Sequence, residues 1–173
     1  GVSTLEIVYP FGERTAIEWC YILGDFGVKV EGRVAKIIPE QKLIGFGSVT
    51  DHGMPFYSGA LTYHMEAQTT GGDLEITVPQ YHGAVIRAFV DDQSQIIAFN
   101  PYKARFTSLA PGKHAVDLKL YINRTNGFNA LHNADRKLSY QSPSAWRSSG
   151  DSWCYEYRLI EQGILSSPWF TEA

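Results

Sequence analysis

Along this chain, apolar and polar side chains alternate in short runs, and Gly, Pro, Asn or Asp interrupts each run. The cleanest run is 116–122, where Val116, Leu118, Leu120 and Ile122 alternate with Asp117, Lys119 and Tyr121. A period of two sets the first group on one face of a strand and the second on the other. The same pattern covers 59–67, with Leu61, Tyr63 and Met65 opposite Thr62, His64 and Glu66. It recurs at 73–79, where Leu74, Ile76 and Val78 alternate with Glu75 and Thr77 until Pro79 stops the run. A strand at 84–90, carrying Arg87, leads to the polar turn Asp91-Asp92-Gln93-Ser94, and 95–99 pairs back against it. Strands are also predicted at 4–9, at 26–30 and 33–38 around Glu31-Gly32, and at 152–160, where Trp153, Tyr155, Tyr157 and Leu159 share a face. Residues 16–23 are apolar and read equally as strand or short helix.

No segment carries a helical stripe, and strands that follow one another without helices between them predict an all-β antiparallel sandwich or barrel. Two stretches read as longer loops, 100–113 and 123–151, the second rich in Asn, Ser and His. Loops of that length on a β scaffold are where function concentrates. The 173 residues fit one domain, with 1–50 as lead-in strands and 51–173 as the main sandwich.

Composition changes this picture in three places. A hydrophobic share of 44% with 19% charged residues describes a chain that builds its own core without metal or disulfide staples. The net charge of −3, with no run of Lys or Arg, lacks the electrostatic footprint of a nucleic-acid binder. No basic amphipathic helix and no apolar run of about 20 residues is present, so no membrane partner is expected. The chain starts at Gly1-Val2-Ser3 without Met, which reads as the cut edge of a longer protein. Cytoplasm, periplasm and secretion therefore all stay open. Cys20 and Cys154 lie near opposite ends of the chain. A bridge between neighbouring terminal strands and a pair of separate buried thiols are both open.

Glycosidase chemistry needs a pair of carboxylates. Glu18, Asp25, Glu66, Glu75, Asp117, Glu156 and Glu161 are available, most of them at outward strand positions where a charge is simply solvated. No nucleophile elbow, phosphate loop or HExxH motif occurs. His52, His64, His82, His114 and His132 are scattered without ligand spacing, so no metal or other cofactor is expected. Asp91-Asp92 offers oxygens to a calcium ion, although Asp in a turn also accepts hydrogen bonds from its own backbone. Carbohydrate recognition needs a flat aromatic face with a few fixed polar groups. Trp146 and Arg147, with Trp153 close by, supply those types, as does His132 within 129–133. Tyr57 and Tyr102 are further candidate contacts. Against this, Trp153 and Tyr155 alternate as core residues would.

The stretch Gly53-Met54-Pro55-Phe56-Tyr57-Ser58-Gly59-Ala60-Leu61-Thr62-Tyr63 resembles the lead-in to a jelly-roll strand in galactose-binding-like β-sandwich domains of bacterial glycosidases related to α-L-rhamnosidases and β-galactosidases. Asn100-Pro101-Tyr102, then Leu109-Ala110-Pro111-Gly112-Lys113-His114 before the long strand, and Gly163-Ile164-Leu165-Ser166-Ser167-Pro168 near the close are similar in order. The turn Asp91-Asp92-Gln93-Ser94 departs from the Asn-Gly hairpin usual there. The resemblance covers nearly the whole chain. It implies a jelly-roll that acts as a non-catalytic accessory domain, partnered by the catalytic domain of the same parent chain and by oligo- or polysaccharide where it binds anything. The Pro55–Gly59 motif is expected to set strand geometry and packing. Trp19, Trp169 and Phe170 are expected on the face toward the catalytic domain. An independent carbohydrate-binding module is the alternative, and a small stand-alone enzyme or an adhesion module is a third.

Overall fold

The computed structural model describes residues 4–15, 20–135 and 149–172. The alternating runs become strands. β1 (Phe26–Glu31) and β2 (Val34–Pro39) form an antiparallel hairpin that turns at Gly32-Arg33, where Gly32 takes the left-handed backbone with φ 60°. β3 (Ala60–Thr69), β4 (Gly72–Thr77), β5 (Tyr81–His82), β6 (Val85–Val90), β7 (Gln93–Ile97), β8 (Lys103–Leu109) and β9 (Gly112–Tyr121) follow. A single helical turn, α1 (Thr125–Phe128), precedes the short strands β10 (Gly163–Ile164) and β11 (Trp169–Glu172).

Two antiparallel sheets carry the core. One has the order β3-β9-β6-β7 and the other β11-β4-β8, while β1-β2 and β10-β5 pair separately. On β3 the predicted face of Leu61, Tyr63 and Met65 turns inward, with Tyr63 buried and the other two partly so. On β9 Val116, Leu118 and Leu120 are buried as the alternation predicts, while Ala67 of β3 and Ile86, Ala88 and Val90 of β6 complete the inward set. They join Leu74, Ile76, Ala104 and Phe106 of the other sheet in one buried cluster. The chain is therefore an all-β antiparallel sandwich. The Tyr63 hydroxyl reaches the Ile164 N–H at 3.3 Å, and burial pushes this phenol above its ordinary pKa.

Between β3 and β9 the chain crosses from sheet to sheet at β3–β4, from β4 to β6 through β5, at β7–β8 and at β8–β9. The first and last of these turns stack: a Cβ on Gly71 (φ 103°) would come within 3.1 Å of the Pro111 ring. Beside them lies His114, which is 7% exposed. Its Nδ1 meets Asp91 Oδ2 at 2.6 Å and its Nε2 meets the Ala110 carbonyl at 2.9 Å. Asp91 also accepts the Ala115 N–H at 3.2 Å. The Asp91 carboxylate is thus held by bonds within its own fold. The turn is tighter than the sequence implied, since Val90 pairs with Gln93 around Asp91-Asp92 alone, with Asp91 at φ 47°.

Several expectations are corrected. Residues 4–9 form no strand, and their side chains are exposed. The stretch 100–113 is no loop, because it contains β8, whose Ala104 and Phe106 face inward. The stretch 152–160 is no strand beyond one bridge between Asn133 and Trp153. Its backbone groups are taken elsewhere: Cys154 N–H by the His132 carbonyl, Tyr157 N–H by Gly32, Arg158 N–H by Leu131. The buried Asn126 side chain grips both the N–H and the carbonyl of Ile160, at 2.9 and 2.7 Å. Cys20 is exposed and Cys154 half-buried, and both are free thiols, so neither a bridge nor a pair of buried thiols describes them.

Candidate functional site: the hairpin cleft

The β1–β2 hairpin pairs with neither main sheet and is tied to the segment before β3 by Val28 N–H, which donates to the Gly53 carbonyl at 2.7 Å. Beside this tie lies a cleft of about 1140 Å³. The hairpin contributes Phe26, Val28 and Ile37 to one wall, and the segment before it adds Tyr21, Ile22 and Leu23. The opposite wall is the Met54–Ser58 stretch with α1 and the residues after it. Much of the lining is apolar yet open to solvent: Leu23 is 89% exposed, Ile22 67% and Ile37 62%.

The Pro55–Gly59 motif builds this wall. Pro55 is buried and Phe56 half-buried, its ring 5.7 Å from that of Tyr157. Tyr57 folds back so that its hydroxyl donates to the Ala60 carbonyl at 3.0 Å. The ring then occupies the space a Cβ on Gly59 would need, which is why the motif ends in glycine. A Cβ on Gly127 would meet Ser58 Oγ at 2.9 Å, so α1 also packs directly on the motif. The motif's role in strand geometry and packing is as expected, and the same folding leaves the Tyr57 ring facing the cleft.

Among the predicted contacts, Tyr57 and His132 both line this cleft. His132 donates Nδ1–H to the Cys154 carbonyl at 3.1 Å and packs 4.6 Å from the Tyr157 ring. Trp153 is half-buried behind it, 5.9 Å from His132 and edge-on to Tyr155 at 4.4 Å. Tyr102 is not on the cleft lining: its ring lies 4.9 Å from Tyr81 and packs, partly buried, against the core. Trp146 and Arg147 lie outside the described residues, as does Trp19. Trp169 is 51% exposed, whereas Phe170 packs partly on the core.

The sequence reading missed Tyr21, Phe128 and Arg124. The Tyr21 and Phe128 rings, both on the cleft lining, meet at 5.0 Å with their planes tilted by 44°, and the Arg124 guanidinium lies 5.9 Å from the Phe128 ring. Phe128 and Arg124 flank the Asn126-Gly127 pair in a loop already marked as long, so spacing to that loop was the available signal. Chemically, the cleft offers ring faces and aliphatic surface, with Asp25, Lys36, Glu40 and Arg124 as charged groups on its lining. Among the described residues no three His, Cys, Asp or Glu side chains come together as a metal-binding group. No helix among them is long and apolar enough to cross a membrane. Comparison with protein-family models, with curated proteins and with solved structures finds no match to this chain.

Proposed function

We propose that this chain is a non-catalytic accessory domain of a larger carbohydrate-active protein of the glycoside hydrolase type, a jelly-roll that docks on the catalytic domain through its N-terminal segment and hairpin. One observation carries this role. Of the exposed large apolar side chains, eleven fall within 5–43 and eight in all the remaining described residues. They include Leu5, Val8, Phe11, Leu23, Ile37 and Leu43. Isolated exposed apolar residues are ordinary, whereas a concentration in one segment marks a surface that is covered in the working protein. The resemblance of the Gly53–Tyr63 stretch to glycosidase accessory domains supports the identity of the covering partner.

Hydrogen exchange compared between this chain alone and the full-length gene product tests the role. Residues 5–23 are expected to exchange freely in the isolated chain and to be protected in the full-length protein. Equal exchange in the two, or aryl-glycoside turnover by this chain alone, overturns it.

A second role, an independent carbohydrate-binding module, is favoured by a cleft whose lining includes the Tyr57 ring, Arg124 and Asn129. In that case Tyr57→Ala lowers the affinity for a neutral oligosaccharide in calorimetry while the fold is retained.

A further inference from the structure

The outer face of the four-stranded sheet carries an unusual charge arrangement. Strand pairing sets Lys119 of β9 directly opposite Arg87 of β6. Neighbouring strands lie about 4.8 Å apart, and like charges at opposed positions are destabilising. The other cations of the two main sheets sit against acids. Lys103 pairs with Glu75 at 2.6 Å, Arg105 with Asp73 at 2.9 Å and Lys113 with Glu66 at 3.4 Å. Among the described residues, Arg87 and Lys119 have no such partner. Arg87 donates to Ser94 Oγ at 3.2 Å and lies 5.1 Å from the Phe89 ring. Lys119 Nζ lies 5.6 Å from the Tyr121 ring. The carboxylates on the same face are engaged elsewhere, Asp117 with His64 at 2.7 Å and Glu66 with Lys113.

We infer that this face is a second binding surface, and that it takes an acidic oligosaccharide, with a uronate carboxylate between Arg87 and Lys119 and the adjoining sugar against Tyr121. The charge identifies an anion, and the planar guanidinium fork matches a carboxylate with two parallel N–H bonds. The aromatic rings beside the cations suit the apolar face of a pyranose. An acidic peptide fits less well. Extended peptides add to sheet edges by main-chain hydrogen bonds, and β6 and β9 are both interior strands of their sheet. The choice of a sugar rests on the proposed carbohydrate-directed role, whereas the position of the surface does not.

The test is calorimetric titration of the full chain with oligogalacturonate, beside a neutral galacto-oligosaccharide of equal length and poly-glutamate. Oligogalacturonate is expected to bind, more weakly at higher salt. Arg87→Gln and Lys119→Gln should each weaken it by about tenfold, a loss of about 1.4 kcal/mol. Both variants should melt at or above the temperature of the parent chain, because each relieves the repulsion. Absence of oligogalacturonate binding, equal affinity for the neutral sugar, tighter binding of poly-glutamate, or unchanged affinity in both variants overturns the inference. Hydrogen exchange of residues 5–23 is unaffected by any of these results, so failure here is distinguishable from failure of the accessory role.

Discussion

His114 is buried with both ring nitrogens beside acceptors, Asp91 on one side and the Ala110 carbonyl on the other. The Asp91 hydrogen bond, followed by that to Ala110, raises the His114 pKa above its ordinary value, and the His114 hydrogen bond lowers that of Asp91. The signs are opposite in effect. The histidine contributes stability that is complete below its unfolded pKa of about 6.5 and is lost as pH rises through the elevated folded value. The aspartate contributes stability that is complete above the ordinary carboxylate value and is lost as pH falls through its depressed one. Denaturation midpoints are therefore expected to fall as pH rises above about 6.5 and through the elevated folded value of His114. In His114→Gln that fall should largely disappear, and an identical slope in the variant would remove His114 as its cause. Gly163 is a second residue with a sharp demand. Its φ is 129°, and a Cβ there would sit 2.5 Å from the Gly47 carbonyl oxygen. Gly163→Ala should lower stability by about 1–3 kcal/mol or more, read from urea midpoints. Neither demand was visible in the sequence: five histidines looked alike, and what a residue faces depends on turns brought together from distant parts of the chain.

At the scale of elements, periodicity located β3, β4, β6 and β9, and the inward faces of β3, β4 and β9, because those strands are long enough for alternation to show and each is paired along much of its length. It failed where alternation and pairing part company. Residues 152–160 alternate well, yet their backbone groups bond to 32, 131 and 132 and to the Asn126 side chain, so no ladder forms. β8 alternates too, but its inward set begins with the small Ala104 and lies between Asn100-Pro101 and Pro111-Gly112, which reads as loop. The cleft was legible only in part. Tyr57 and His132 were found as residue types suited to recognition. Ile22, Ile37 and Phe128 were not, because an apolar side chain in a sequence reads as core whether or not anything in the fold covers it.

For the molecule as a whole, the two main sheets bury their shared face and leave two other surfaces unmatched, the apolar segment 5–43 and the Arg87–Lys119 face. The margin of the smaller sheet has a different character. β11 pairs with β4 over only Trp169 to Glu172, and it is fastened by the Glu172 carboxylate, which accepts the Thr70 N–H at 2.6 Å and the Thr70 hydroxyl at 2.8 Å. These bonds hold the Glu172 carboxyl below its usual pKa. Such a strand is replaceable by its equal from another copy. A chain ending at Ser166 would bare the main-chain donors and acceptors of β4, a template for edge-to-edge association. That shortened chain is expected to oligomerise in sedimentation experiments, and a synthetic peptide covering residues 165–172 should return it to a monomer by supplying the missing strand in trans. The few residues of β11 thus serve as the molecule's guard against strand exchange with its own kind.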